Sequence, residues 1–248
     1  MKSIFEAVGY RIGKTAAKAR SIFDLVGGDE AESRRAEIQL GRDLEAAMLR
    51  RVQLAGENAT TRFATDIGLW LADHVQEKMI PFTFRITAER ELNSYALPGG
   101  PVFLSLPFLE ACQGERDEIA FILAHEMAHI VLRHAVDRIV RDSLFSLLLQ
   151  QSAARSAAGA WLGKVGQQTL SRAYSRENEL EADAFALSLI RTCGGDESAG
   201  ERLFEKLARG LSSQSAITPG EYYATHPPLI ERMAHLRSKR MPLPQVIP

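Results

Sequence analysis

Near the middle of the chain, His125-Glu126-Met127-Ala128-His129 is flanked by Ile119, Phe121, Ile122, Leu123, Ile130, Val131 and Leu132. A helix drawn through these positions carries apolar residues on every side, and a helix without a polar face belongs inside the protein. The rest of the chain must therefore fold around residues 115–141. Two imidazoles and a carboxylate cannot enter such an interior without a partner that offsets their lost hydration. On an α-helix His125 and His129 lie one turn apart on one face, about 6 Å from each other, which suits two imidazoles gripping one Zn2+. Glu126 then lies beside the ion, placed to take a proton from water whose pKa the metal lowers. The chain has 6 His and 31 acidic residues in 248, so the pattern arises by accident with odds of only roughly 0.02.

The composition, 46% apolar and 25% charged, supplies enough apolar side chains for one sizeable core. A net charge of -1, with Lys and Arg dispersed, argues against a polyanion partner such as nucleic acid. Cys112 and Cys193 are too few for a disulfide framework and form no CxxC pair, which excludes a cysteine zinc site. Glu6, Arg11, Lys14 and Lys18 interrupt any signal-peptide apolar region in residues 1–20. The apolar run Leu144–Leu149 is far short of the ~20 residues a bilayer span needs. These observations predict a cytoplasmic protein without a transmembrane span. Residues 1–26 read as an amphipathic helix, with Ile4, Phe5, Val8, Ile12, Ile22 and Phe23 on one side and five Lys/Arg against two acids. It is expected to pack on its own domain or on a second copy, with peripheral membrane contact as the alternative.

Asp29 is an N-cap for a charged helix reaching about Ala55, and a more apolar helix runs from Thr60 to about Lys78. After Pro81 the period changes to two: Phe82, Phe84 and Ile86 alternate with polar residues, the pattern of a half-buried strand. Residues 92–97, the turn Pro98-Gly99-Gly100-Pro101 and residues 102–104 form a β-hairpin. Beyond it the pattern is helical over 115–141, 143–172, 175–192, 197–211 and 228–238. A few strands among many helices predict an α+β fold. The expected division is an N-terminal helical arm at 1–55, a catalytic body at 56–241 and a tail at 242–248.

A catalytic zinc usually takes three protein ligands and keeps one open position. The extended signature with a histidine six residues beyond His129 is not present, since Leu132 and Ala135 occupy its glycine and histidine positions. On a continuous helix His134 points off the shared face by about 140° and reads as a surface residue or an outer partner of the ligands. The third ligand must come from another helix. In Ser175–Ala186, Glu179 and Asp183 lie four apart on one face, so one carboxylate can bind metal while the other accepts from a ligand imidazole. Glu177 and Glu181 compete in the same register, and spacing does not choose between the pairs. Pro227 and Pro228 open the last helix and hold His226 just outside its start.

Four motifs in order, Asn93–Gly100, His125–His134, Ser175–Ala186 and Thr225-His226-Pro227-Pro228, resemble the M48 family of zinc metallopeptidases over about residues 60–240. That family includes the HtpX-type heat-shock proteases, the CAAX prenyl proteases and the BepA-like proteases. The resemblance implies a mostly helical zincin-type (gluzincin) domain with a small sheet or hairpin beside the cleft. It implies His125, His129 and Glu179 as ligands of one Zn2+, Glu126 as general base and Asp183 as the partner of a ligand. It further implies that His226 assists or regulates at the metal, that Arg232 stabilises the oxyanion, and that Asn93, Ser94, Tyr95 and Ala96 bind substrate. An extended peptide adding to the hairpin edge through main-chain hydrogen bonds would be read with little side-chain selection. The chain is thus expected to be a zinc-dependent endopeptidase of unfolded or misfolded polypeptides, working in quality control. The rival is a latent, chaperone-like binding protein in which His226 caps the metal.

Overall fold

The computed structural model describes residues 29–50, 52–137, 174–212 and 228–240. The expected amphipathic segment at 1–26, the small-residue stretch at 143–172, the tail at 242–248 and His226 lie outside the described residues. In chain order come helices α1 (Glu30–Met48) and α2 (Ala59–His74), then strands β1 (Thr83–Thr87), β2 (Ser94–Ala96) and β3 (Pro101–Ser105). Helices α3 (Leu106–Ala111), α4 (Arg116–Val131), α5 (Arg176–Thr192), α6 (Ala199–Ser212) and α7 (Leu229–Arg240) follow. The architecture is the expected α+β, mostly helical with one small sheet.

Local chemistry starts the helices where the pattern places them. Asp29 accepts from the Glu32 amide at 2.8 Å to open α1, Asn58 and Thr61 form a reciprocal capping box on α2, and the Ser175 hydroxyl accepts from the Asn178 amide on α5. Helix ends are less local. α1 stops at Met48 rather than near Ala55, because the following chain runs out to pair Leu54 with Thr87. α2 stops at His74 rather than near Lys78, where Val75 turns extended.

The sheet order is β1-β3-β2, with β2 and β3 antiparallel as a hairpin and β1 parallel to β3. The Pro98–Pro101 turn needs its glycines: Gly99 and Gly100 have φ of 74° and 138°, backbone that glycine alone adopts without strain. The turn is also clamped from outside. A Cβ on Gly41 of α1 would lie 1.8 Å from the Pro98 carbonyl oxygen, so α1 and the hairpin approach as closely as backbones can.

β3 is buried at all five positions because both of its faces are covered. On one face Val102 and Leu104 join Phe84, Ile86 and Ala96 against α2 and α4, in the core that also takes in α5, α6 and α7. On the other, Phe103 packs with Leu44, Met48, Val52 and Leu97 beneath α1, with Tyr95 partly buried against them. Every residue of α4 from Glu118 to Ile130 is buried, as an all-round apolar helix requires. α4 does not continue to 141: the chain breaks at Leu132 and Arg133 before another helical turn at 134–137. Among the described residues no helix is long and apolar enough to cross a membrane.

Candidate metal centre

The packing of α5 against α4 brings Glu179 to the two histidines of the buried helix. His125 Nε2 lies 3.2 Å from His129 Nε2. Glu179 Oε2 lies 3.5 Å from the first nitrogen and Oε1 3.4 Å from the second. All three side chains are fully buried. Ligand atoms held about 2.0–2.1 Å from one tetrahedral ion stand roughly 3.3 Å apart; the two imidazole nitrogens have that separation, and a carboxylate oxygen of Glu179 faces each of them. Two imidazole nitrogens and a carboxylate are also one of the donor sets of catalytic zinc sites. The residues present therefore fit a metal ion. The competing pair turns the other way: Glu177 and Glu181 are exposed, while Glu179, Asp183, Ala186, Leu187 and Ile190 form the buried stripe of α5.

Asp183 stands one turn behind Glu179. Its Oδ1 is 3.0 Å from His125 Nδ1, a contact that favours a proton on Nδ1 while Nε2 faces His129 and Glu179. From α7, Arg232 donates Nε to Asp183 Oδ2 at 2.8 Å and an Nη2 proton to Oδ1 at 2.6 Å. Its Nη1 lies 3.7 Å from Glu179 Oε2, and its guanidinium sits 4.4 Å over the Phe204 ring. Arg232 is thus fully buried and engaged in a two-toothed fork with Asp183.

Burial opposes the charge on Asp183, but the charge and hydrogen bonds of Arg232, joined by those of His125, hold its carboxyl down at about 2. Burial and the Arg232 charge oppose a proton on His125, yet its hydrogen bonds to Asp183 and Glu179 win and raise it to about 9. Without a metal, that proton stabilises the fold fully below the ordinary 6.5, and the contribution is lost as pH rises through 9. A cation entering at neutral pH must expel it.

Glu126 is buried beside this cluster. The Ser94 hydroxyl of β2 donates to its Oε1 at 2.7 Å, and its Oε2 has no hydrogen-bond partner among the described residues. Desolvation pushes its carboxyl above the usual carboxylate range, against the charge of His125 and the Ser94 hydrogen bond.

Of the other hairpin residues, Asn93 exchanges bonds with Ser105, its amide donating to Oγ and its carbonyl accepting from the Ser105 amide. Tyr95 stacks on Phe103 at 5.1 Å between ring centroids. Ala96 is buried in the core. The sheet order leaves β2 at an edge, directly above the metal-site helix. β1, at the opposite edge, is partly covered where Ile86 accepts from the Ala55 amide.

Two residues stand closer to the site than the sequence indicated. His134 is buried, its Nδ1 3.0 Å from His129 Nδ1 and its Nε2 3.3 Å from Glu181 Oε2; burial holds it below its ordinary value. Tyr174 stacks face to face on His129, with centroids 3.8 Å apart and planes 11° off parallel. An aromatic just before the Ser175 N-cap hints at a packing residue at the helix start, but not at which ring it covers.

A beta-barrel assembly-enhancing protease of Escherichia coli (strain K12) is 26% identical over 216 residues, covering 82% of this chain and 43% of the relative. The mitochondrial metalloendopeptidase OMA1 of Schizosaccharomyces pombe is 33% identical over 138 residues, covering 54% of this chain and 40% of the relative. OMA1 of Saccharomyces cerevisiae is 28% identical over 152 residues, covering 60% and 44%. The chain thus spans less than half the length of these curated relatives. The profile of peptidase family M48 matches residues 59–240, which hold every side chain of the buried cluster, and the chain belongs to that family.

Proposed function

We propose that this protein is a zinc-dependent endopeptidase that hydrolyses unfolded or misfolded polypeptides in protein quality control. The observation that carries the reading is the convergence of His125, His129 and Glu179 with Glu126 alongside, its Oε2 without a hydrogen-bond partner among the described residues. His125 Nε2, His129 Nε2 and Glu179 would hold the zinc, which when bound polarises the scissile carbonyl and lowers the pKa of water. Glu126 accepts the proton of the attacking water at Oε2 and returns it to the leaving amine. Its raised pKa brings it nearer neutrality, where one group can both take and give a proton. Ser94 holds the other oxygen in place.

Asp183 holds the His125 ring, and Arg232 places a fixed positive charge behind His125 and Glu179 that favours negative charge developing at the substrate carbonyl oxygen. Substrate enters as a strand beside β2, with Asn93, Ser94, Tyr95 and Ala96 as the binding segment. Main-chain pairing there selects extended, unfolded chain rather than particular side chains, which supports the substrate class. The working unit in this reading is residues 56–241, with 1–55 as an N-terminal element whose helix α1 braces the hairpin turn.

Purified protein is expected to cleave casein, to lose that activity in a zinc chelator and to regain it when zinc is restored. Casein that stays intact after zinc resupply contradicts the reading.

A further inference from the structure

The two histidines of the centre have unlike outer partners. His125 leans on a carboxylate; His129 leans on another imidazole, His134. We infer that His134 is a positioning residue for the metal ligand His129, brought under it by a break in the helix and completed at its far side by Glu181. The inference rests on the zinc reading above.

A ligand that coordinates through Nε2 keeps its proton on Nδ1, and a buried N–H needs an acceptor. The atom 3.0 Å from His129 Nδ1 is His134 Nδ1. It can accept only if His134 carries its own proton on Nε2, and that nitrogen is 3.3 Å from Glu181 Oε2. The chain of donors therefore runs one way, from His129 to His134 to Glu181. It parallels the path from His125 to Asp183 on the other side of the site. Tyr174, stacked on His129, fixes the plane in which the ring can swing.

The backbone is built to make this contact. On an unbroken helix, five residues beyond His129 face about 140° away. Arg133 instead adopts φ of 60° without being glycine, and its side chain is tied down from α1. Its Nε lies 3.2 Å from the buried Glu37 Oε2, and its Nη2 donates to Ser33 Oγ. Left-handed backbone at a non-glycine residue persists where the surroundings impose it. Here the result is a second helical turn, begun at a new angle, with His134 at its start.

The test is zinc affinity, read by competition with a chelating dye, for the full chain and two variants. His134→Leu fills the space without an acceptor and is expected to weaken zinc binding about 10–100-fold. His134→Asn places an amide oxygen near the lost Nδ1 and is expected to recover most of that loss. A residue that merely fills space would give the opposite order, with Leu tolerated and Asn not, and that order overturns the inference. Should the leucine variant not fold, 15N-histidine spectra of the zinc-loaded wild type decide it. His129 protonated on Nδ1 and His134 on Nε2 support the relay, and His134 protonated on Nδ1 overturns it. Wild-type protein that binds no zinc refutes the proposed function instead, so the two failures are distinct.

Discussion

Glu126→Gln should leave zinc bound and remove turnover, with casein cleavage falling by about 10²–10⁴-fold, the usual worth of a positioned general base. The substitution is nearly isosteric. The amide oxygen can still accept from Ser94, which lies 2.7 Å away in the wild type, so β2 and α4 keep their contact. What changes is the other end of the side chain. The wild-type Oε2 has no hydrogen-bond partner among the described residues, and an amide nitrogen there donates where the proposed reaction needs an acceptor. Kinetics and zinc content measured on one preparation separate chemistry from ligation. Cleavage within tenfold of wild type would mean that another group takes the proton.

Arg232→Met is expected to act on stability before it acts on chemistry. Arg232 and Asp183 are both fully buried and joined by two hydrogen bonds of 2.8 and 2.6 Å. Removing one partner of a buried ion pair strands the other charge, at a cost of about 3–5 kcal/mol. For a chain of this size that is a drop of roughly 10 °C in the melting midpoint. Asp183, held at about 2 by this arginine, loses its main counter-charge, and His125 loses a firmly oriented partner. Adding Asp183→Leu should restore much of the melting midpoint but not the zinc affinity, because the stranded charge is gone while the His125 tautomer is no longer held. An Arg232→Met protein that melts with the wild type would show that the fork contributes little.

The parts of this fold that were legible in the sequence are those decided by neighbours along the chain. An all-round apolar helix around 119–132 had to be central, the Pro98–Pro101 turn had to close a hairpin, and Asp29 marks a helix start by its own hydrogen bond. The parts that were not legible are decided across the chain. Residues 83–87 alternate as a strand, but nothing in them selects parallel pairing with β3. No glycine or proline marks the end of α4. The break at Arg133 is held by Ser33 and Glu37, about a hundred residues earlier, and His134 could be placed beside His129 only once that contact was known. The choice between Glu179 and Glu177 has the same character. Spacing leaves both pairs on α5 open and only the family resemblance points to Glu179; the docking of α5 on α4 puts the Glu179 stripe inside.

The decisive experiment is elemental analysis of purified protein together with the single variants Glu179→Ala and Glu177→Ala. The wild type and Glu177→Ala should each hold about one zinc per chain, as expected of one tetrahedral site. Glu179→Ala should lose most of it on dialysis against a weak chelator. A wild type that holds no zinc after resupply, or a Glu179→Ala protein that keeps as much as Glu177→Ala, would contradict the site as built here.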